Sequence, residues 1–132
     1  MSPRSAPRPV ALLVTCEHGG NRVPARFHAL FIGADELLES HRGWDAGALF
    51  LAREIARRLR APLRAATVTR LLVDLNRSPP NPRVFSELTR SLPREERREL
   101  LRAHHAPYRA AVASDVAERV ALGSRVVHLG EH

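Results

Sequence analysis

The chain has 132 residues, of which 44% are hydrophobic and 27% charged, a length and balance that suit one ordinary globular domain. Apolar runs such as residues 10–14 are far too short to cross a bilayer, and the polar, proline-broken start does not read as a secretory signal. One cysteine excludes an intramolecular disulfide framework and a cysteine-rich zinc module, so a cytoplasmic protein with no membrane partner is the expectation.

The formal net charge of +7 invites a nucleic-acid reading. All 21 basic residues are arginine, however, and they are scattered along the chain. The densest groups (Arg57, Arg58, Arg60 and Arg94, Arg97, Arg98) fall on predicted helices beside acids. Solvated helix faces are the simpler account. With four Phe, one Trp and one Tyr, no base-stacking platform is evident.

Residues 1–9 read as a disordered lead-in to a single domain over residues 10–132. VALLVTC at 10–16 is short, apolar and rich in β-branched residues, which predicts a buried strand. It runs into Glu17-His18-Gly19-Gly20-Asn21, a turn permitted by two glycines. Residues 21–33 read as irregular, and residues 35–40 as a short helix. Ala48, Ala52, Ile55 and Leu59 form one apolar stripe and predict a helix over 45–60, with Asp45 at its start as a cap. Residues 63–75 favour a second strand, in one piece or two. Pro79, Pro80 and Pro82 force a loop. A long helix is expected over about 93–122, broken or kinked at Pro107 and stopped at Gly123. VVHL marks a third strand at 125–129. The order β-α-β-α-β implies a mainly parallel sheet with helices on its faces.

Polar residues gather after the carboxyl ends of the predicted strands: Glu17, His18 and Asn21; then Asp74, Asn76 and Arg77; then Glu131 and His132. That rim is where open parallel sheets bind ligands. His18 is either a metal ligand or a turn residue that bonds the backbone. In Asp74-Leu75-Asn76-Arg77 the guanidinium and amide could grip a carboxylate, or Asp74 and Arg77 could pair to fix the loop. Arg70 could assist or pair with Asp74. His41 and Asp45 share a face if both are helical. His104 and His105 read as polar residues beside a kink, Tyr108 as a packed residue with a wet hydroxyl, and Cys16 as a buried small residue whose neighbour His18 makes a thiolate nucleophile conceivable.

Three segments carry a resemblance: TCEHGGNRVP at 15–24, HRGWDAGA at 41–48 and TRLLVDLNRS at 69–78. Together with FSELTR at 85–90 and PYR at 107–109, they resemble the N-formylglutamate amidohydrolase family from about Val10 to the last residue. More distantly, that family resembles the zinc carboxypeptidase and aspartoacylase group. The resemblance implies an α/β fold, a three-layer α/β/α hydrolase with a central mostly parallel or mixed sheet. It implies a divalent metal, zinc by analogy, bound by His18 and His132. Position 21 is asparagine where the carboxypeptidase pattern has glutamate, so Asp45 or Glu17 is left to complete the ligand set. Arg77 and Asn76, with Arg70, would dock a substrate carboxylate, and Glu17 would shuttle a proton. The implied reaction is hydrolysis of a small N-acyl amino acid to formate and the free amino acid. Relatives of this family continue for about another half domain, which makes a fragment the expectation. A non-catalytic remnant of the fold and a basic nucleic-acid-binding module are the alternatives.

Overall fold

The protein is described by a computed structural model over residues 8–131. Most of the expected lead-in, and His132, lie outside those residues; Pro9 is tied down through its carbonyl, which accepts the Arg125 amide at 2.8 Å. Three parallel strands form the sheet in the order β2-β1-β3: β1 is Val10–Cys16, β2 Leu63–Ala65 and β3 Arg125–Gly130. Val14 pairs with Leu63 on one side and with Leu129 on the other. A strand paired on both edges is hidden from water, which explains the unbroken apolar run of β1.

Helices cover both faces. Side chains alternate along a strand, so Val14 and Cys16 share a face and meet Ala48, Ala52 and Ala56 of helix α2 (Ala48–Leu59). The short helix α1 (Asp35–Glu39) precedes it. Thr15 lies on the opposite face, level with Arg64 of β2. Arg64 reaches Asp115 of helix α4 (Ala106–Ala121) at 2.6 Å, which places α4 over that face.

Three expectations are corrected. The helix expected from residue 45 begins at Ala48, and His41 and Asp45 precede it outside any helix, so they share no helical face and Asp45 is no cap. The cause is that the Asp45 carboxylate is engaged elsewhere, by His18. The strand expected over 63–75 stops at Ala65. Beyond it the Ala66 and Thr67 carbonyls accept from the amides of Gly19 and Arg22, and Leu72 bonds back to Thr69 in a turn. Leu71, Leu72, Val73 and Leu75 are nonetheless buried, so burial rather than pairing accounts for their apolar character. Thirdly, residues 25–31, expected to be irregular, form a 3-10 helix that buries Phe27 and Phe31 against Leu71, Leu72 and Leu100.

The long helix is interrupted as Pro107 requires. Helix α3 (Arg94–Leu100) passes through a wider π turn at Leu101–His105 into α4. Proline lacks the amide that an α-turn needs there, and the wider turn absorbs the loss. Among the described residues the far edge of β3 is unpaired, and Val127, Phe50 and Leu122 are exposed. Leu72 is fully buried in the cluster beneath the irregular segment. Leu72→Ala should lower the unfolding free energy by about 2–5 kcal/mol. Denaturant melts measure this, and a loss within experimental error would mean that the segment is not part of the core.

Candidate active site

His18 sits just past β1 and is buried, with both ring nitrogens facing carboxylates. Nε2 lies 2.6 Å from Asp74 Oδ1, and Nδ1 lies 3.2 Å from Asp45 Oδ2. The shorter contact is a charge-assisted hydrogen bond in which Nε2–H donates to Asp74. That fixes the ring plane and aims Nδ1 at the Asp45 carboxylate. Arg70 closes the group, 3.3 Å from Asp74 Oδ2 and 3.7 Å from Asp45 Oδ1. Arg77 stands 3.8 Å from Asp74 Oδ2. Buried carboxylates persist when they are paired in this way.

The local backbone explains the placement. The Asp45 amide donates to the His18 carbonyl at 2.9 Å, which ties the 41–48 motif to the end of β1. Gly43 packs so tightly on Leu38 that an added Cβ would fall 2.1 Å from its carbonyl oxygen. Its own carbonyl accepts from the Thr69 hydroxyl at 2.8 Å, which joins the second motif to the third. Gly20 similarly lies against Thr67, where a Cβ would come within 2.7 Å of the carbonyl oxygen. Asp74 is held by its amide on the Val84 carbonyl, while its Oδ1 also accepts from the Asn76 amide at 2.9 Å. His105 donates from Nε2 to the Arg77 carbonyl at 2.6 Å, fixing the turn from the α3–α4 side.

Beside this cluster opens a cavity of about 360 Å³. It is lined by Asp74, Arg70 and Arg77, and also by His41, Arg42 and residues from 83 to 90, among them Arg83, Ser86, Glu87 and Arg90. The sequence had singled out Arg70, Arg77 and His41. It missed Arg83 and Arg90, and the only signal available was their place in and next to the FSELTR segment.

Other expected site residues lie elsewhere. Glu17 is buried, but its Oε1 accepts from the Thr15 hydroxyl at 3.1 Å, and Thr15 in turn contacts His128 Nε2 at 2.7 Å. Glu17 Oε2 is buried without a hydrogen-bond partner. Asn21 uses its amide to donate to the Leu38 carbonyl at 3.0 Å and to Glu39, so its role is to fasten α1. Asn76 is exposed, does not line the cavity, and contributes its backbone amide to Asp74. His104 packs edge-on to Phe27, and the Tyr108 hydroxyl donates to the Arg64 carbonyl at 3.3 Å. His132 lies outside the described residues, although the neighbouring Glu131 amide donates to the Thr15 carbonyl at 2.8 Å, beside the end of β1.

Among the described residues, no group of three or more His, Cys, Asp or Glu converges in a way that could hold a metal. The His18 pair shows why: Asp45 and Asp74 sit on opposite ring nitrogens and do not meet at one point. Nδ1 of His18 and the Asp45 carboxylate are still nitrogen and oxygen donors of the kind zinc accepts. An imidazole whose other nitrogen donates to a carboxylate is the usual arrangement around a metal-bound histidine. The donor set therefore fits a zinc ion as two ligands with a supporting carboxylate.

An α/β sheet with a buried imidazole and paired acids at its carboxyl rim suits a small-molecule site. The family model for N-formylglutamate amidohydrolase matches residues 10–132, and the chain belongs to that family. Among curated proteins nothing matches. Among solved structures, gene product Atu2144 from Agrobacterium tumefaciens is similar, with a TM-score of 0.84 and 30% identity over 92% of this chain. The match covers 51% of that chain, so the present chain spans about half the length of that relative. Among the described residues no helix is long and apolar enough to cross a membrane.

The thiolate reading of Cys16 finds no support in the electrostatics. Burial first, then the charges of Glu17, Asp45 and Glu131, push its thiol up to about 11. A thiol is nucleophilic only when ionised, so Cys16 is inert near neutrality. Alkylation at pH 8 should label Cys16 only in the denatured chain. Labelling of the native protein at the denatured rate would contradict the buried, neutral thiol.

Proposed function

We propose that the chain carries the substrate-docking half, and three of the metal ligands, of an amidohydrolase that cleaves a small N-acyl amino acid such as N-formylglutamate. The observation that carries the reading is the buried His18 with Asp74 on one ring nitrogen and Asp45 beyond the other, set beside an arginine-lined cavity. Family membership supports the reaction class.

His18 through Nδ1 and Asp45 would hold a divalent metal, zinc by donor type, with His132 as a third ligand. When bound, such an ion lowers the pKa of a bound water and polarises a carbonyl. Asp74 orients the ring through Nε2 and so turns Nδ1 towards Asp45. Burial works against the charged form of Asp74, but the hydrogen bonds from His18 and the Asn76 amide, with the charges of His18 and Arg70, outweigh it and hold the carboxyl below its usual range. Asp74 therefore stays an acceptor at neutral pH.

Arg77 and Arg70 would bind the substrate carboxylate, which removes orientational freedom before reaction. Asn76 would contribute by fixing Asp74 rather than by touching substrate. Glu17 would exchange a proton through Thr15, with His128 as the next group outward. A zinc-peptidase-like fold follows from the same reading, the described sheet being its first three strands. A non-catalytic remnant is the second reading. It is favoured by the unpaired edge of β3, where Val127 is exposed.

Formate release from N-formylglutamate, with and without added zinc, tests the proposal on this chain and on a version extended to the length of the relative. Zinc-dependent release is expected, lost in His18→Ala, while Arg77→Ala raises KM more than it lowers kcat. Release by the extended chain alone selects the remnant reading for the short one. No release by either removes the substrate assignment.

A further inference from the structure

We infer that His41 is the proton carrier of the cavity beside His18: its imidazole meets the reacting end of a bound ligand, takes a proton from the attacking water and hands it to the departing nitrogen. The inference deepens the amidohydrolase reading and rests on it for the reaction, but it concerns a residue to which that reading gives no part.

Hydrolysis of an amide needs such a group. The water oxygen forms a bond to the acyl carbon, and one O–H bond breaks. The C–N bond then breaks, its electron pair stays on nitrogen, and a new N–H bond forms as the amine leaves. A carrier that accepts the first proton and returns it to the nitrogen ends the cycle unchanged. It must therefore gain and lose a proton near neutrality.

The charged and titratable groups that share the cavity with His41 are Arg42, Arg70, Arg77, Arg83, Arg90, Asp74 and Glu87. A guanidinium keeps its proton. The hydrogen bond from Arg42 holds Glu87 below the usual carboxylate range, and against the cost of burial the hydrogen bond from His18 does the same for Asp74. Neither acid takes up a proton at neutral pH. Imidazole is the side chain suited to exchange one between about pH 5 and 8, and among the described residues that line this space His41 supplies it. His41 is also exposed, whereas His18 and His105 are buried on fixed partners. Glu17 lies outside the lining, bonded to Thr15.

The turn that presents His41 is held on both flanks. The Ser40 hydroxyl donates to the Leu37 carbonyl at 2.6 Å and accepts the Arg42 amide at 3.2 Å. The Gly43 amide closes on the Ser40 carbonyl at 2.9 Å. Beyond it the Gly43 carbonyl accepts from the Thr69 hydroxyl at 2.8 Å and from the Arg70 amide at 3.3 Å. Proton transfer needs a set distance between donor and acceptor, and His41 stands on the same bonded frame as His18 and Arg70.

Binding of L-glutamate, the amine product of the proposed reaction, tests the placement without turnover. The His41 ring resonances of the whole chain, assigned by their loss in His41→Gln, should shift when glutamate is added. Those of His28, which bonds the Val23 carbonyl and does not line the cavity, should stay in place. In whichever chain releases formate, this one or the extended one, His41→Gln should lower kcat by about 100-fold or more. It should also remove the fall in rate on the acid side, where the native ring is already protonated and takes no proton from water. The side chain is exposed, so the variant should melt with the wild type. An unmoved His41 ring, an undiminished kcat in His41→Gln, or an acid-side fall that survives the substitution would overturn the inference. A His41 ring that answers glutamate in chains that release no formate keeps the contact with the ligand and overturns the amidohydrolase reading together with the transfer step.

Discussion

A buried imidazole with a carboxylate at each nitrogen is a demanding arrangement. Each buried charge must find its partner within hydrogen-bond reach or the chain gains nothing from folding around it. His18 meets this demand with acids from two different segments, Asp45 and Asp74. Both segments must therefore arrive at the end of β1 in fixed positions. Much of the irregular backbone serves that purpose. The Asp45 amide bonds the His18 carbonyl, the Thr69 hydroxyl bonds the Gly43 carbonyl, and the Val84 carbonyl holds the Asp74 amide.

The sheet supplies the platform. β1 is paired on both sides and buried by α2 on one face and α4 on the other. Its end is accordingly held from several sides, and His18 follows it by two residues. The segment after β2 abandons the ladder, burying Leu71, Leu72 and Val73 in turns instead. This exchange of pairing for packing lets Arg70, Asp74 and Arg77 return to the rim from one short stretch. Helical arginines play a different part. Arg57 and Arg58 meet Glu54, and Arg102 meets Glu99, in exposed pairs that contribute little stability. The cavity arginines are the group whose charge exceeds that of its neighbouring acids.

The parallel α/β class, β1, β3 and the proline-interrupted helix were legible because each rests on a local signal: an apolar run, a helical stripe, a proline. The second strand was overread because burial and β-pairing select the same residues, and Thr67 to Val73 satisfy both patterns. Asp45 was named as a candidate ligand on the resemblance, while the residues alone favoured a helix cap. An acid shortly before a helical stripe looks like a cap, and only the fold shows that His18 claims it. His18, Arg70 and Arg77 were singled out because they follow strands or sit in a dense motif. Arg83 and Arg90 were not, since in a chain whose basic residues are all arginine a single arginine carries no signal until the backbone brings it to the others. Asn21 stands where the resemblance suggested a metal ligand, and in the structure its amide fastens α1.

The central claim is that Asp74 orients His18 so that Nδ1 and Asp45 present a cation site. The direct measurement is zinc affinity of the whole chain and of Asp74→Asn, by calorimetry at neutral pH. Loss of the orienting carboxylate should weaken zinc binding by about 10–100-fold, with the fold retained by circular dichroism. Equal affinity in the two proteins, or no zinc binding by the unaltered chain, would contradict the account.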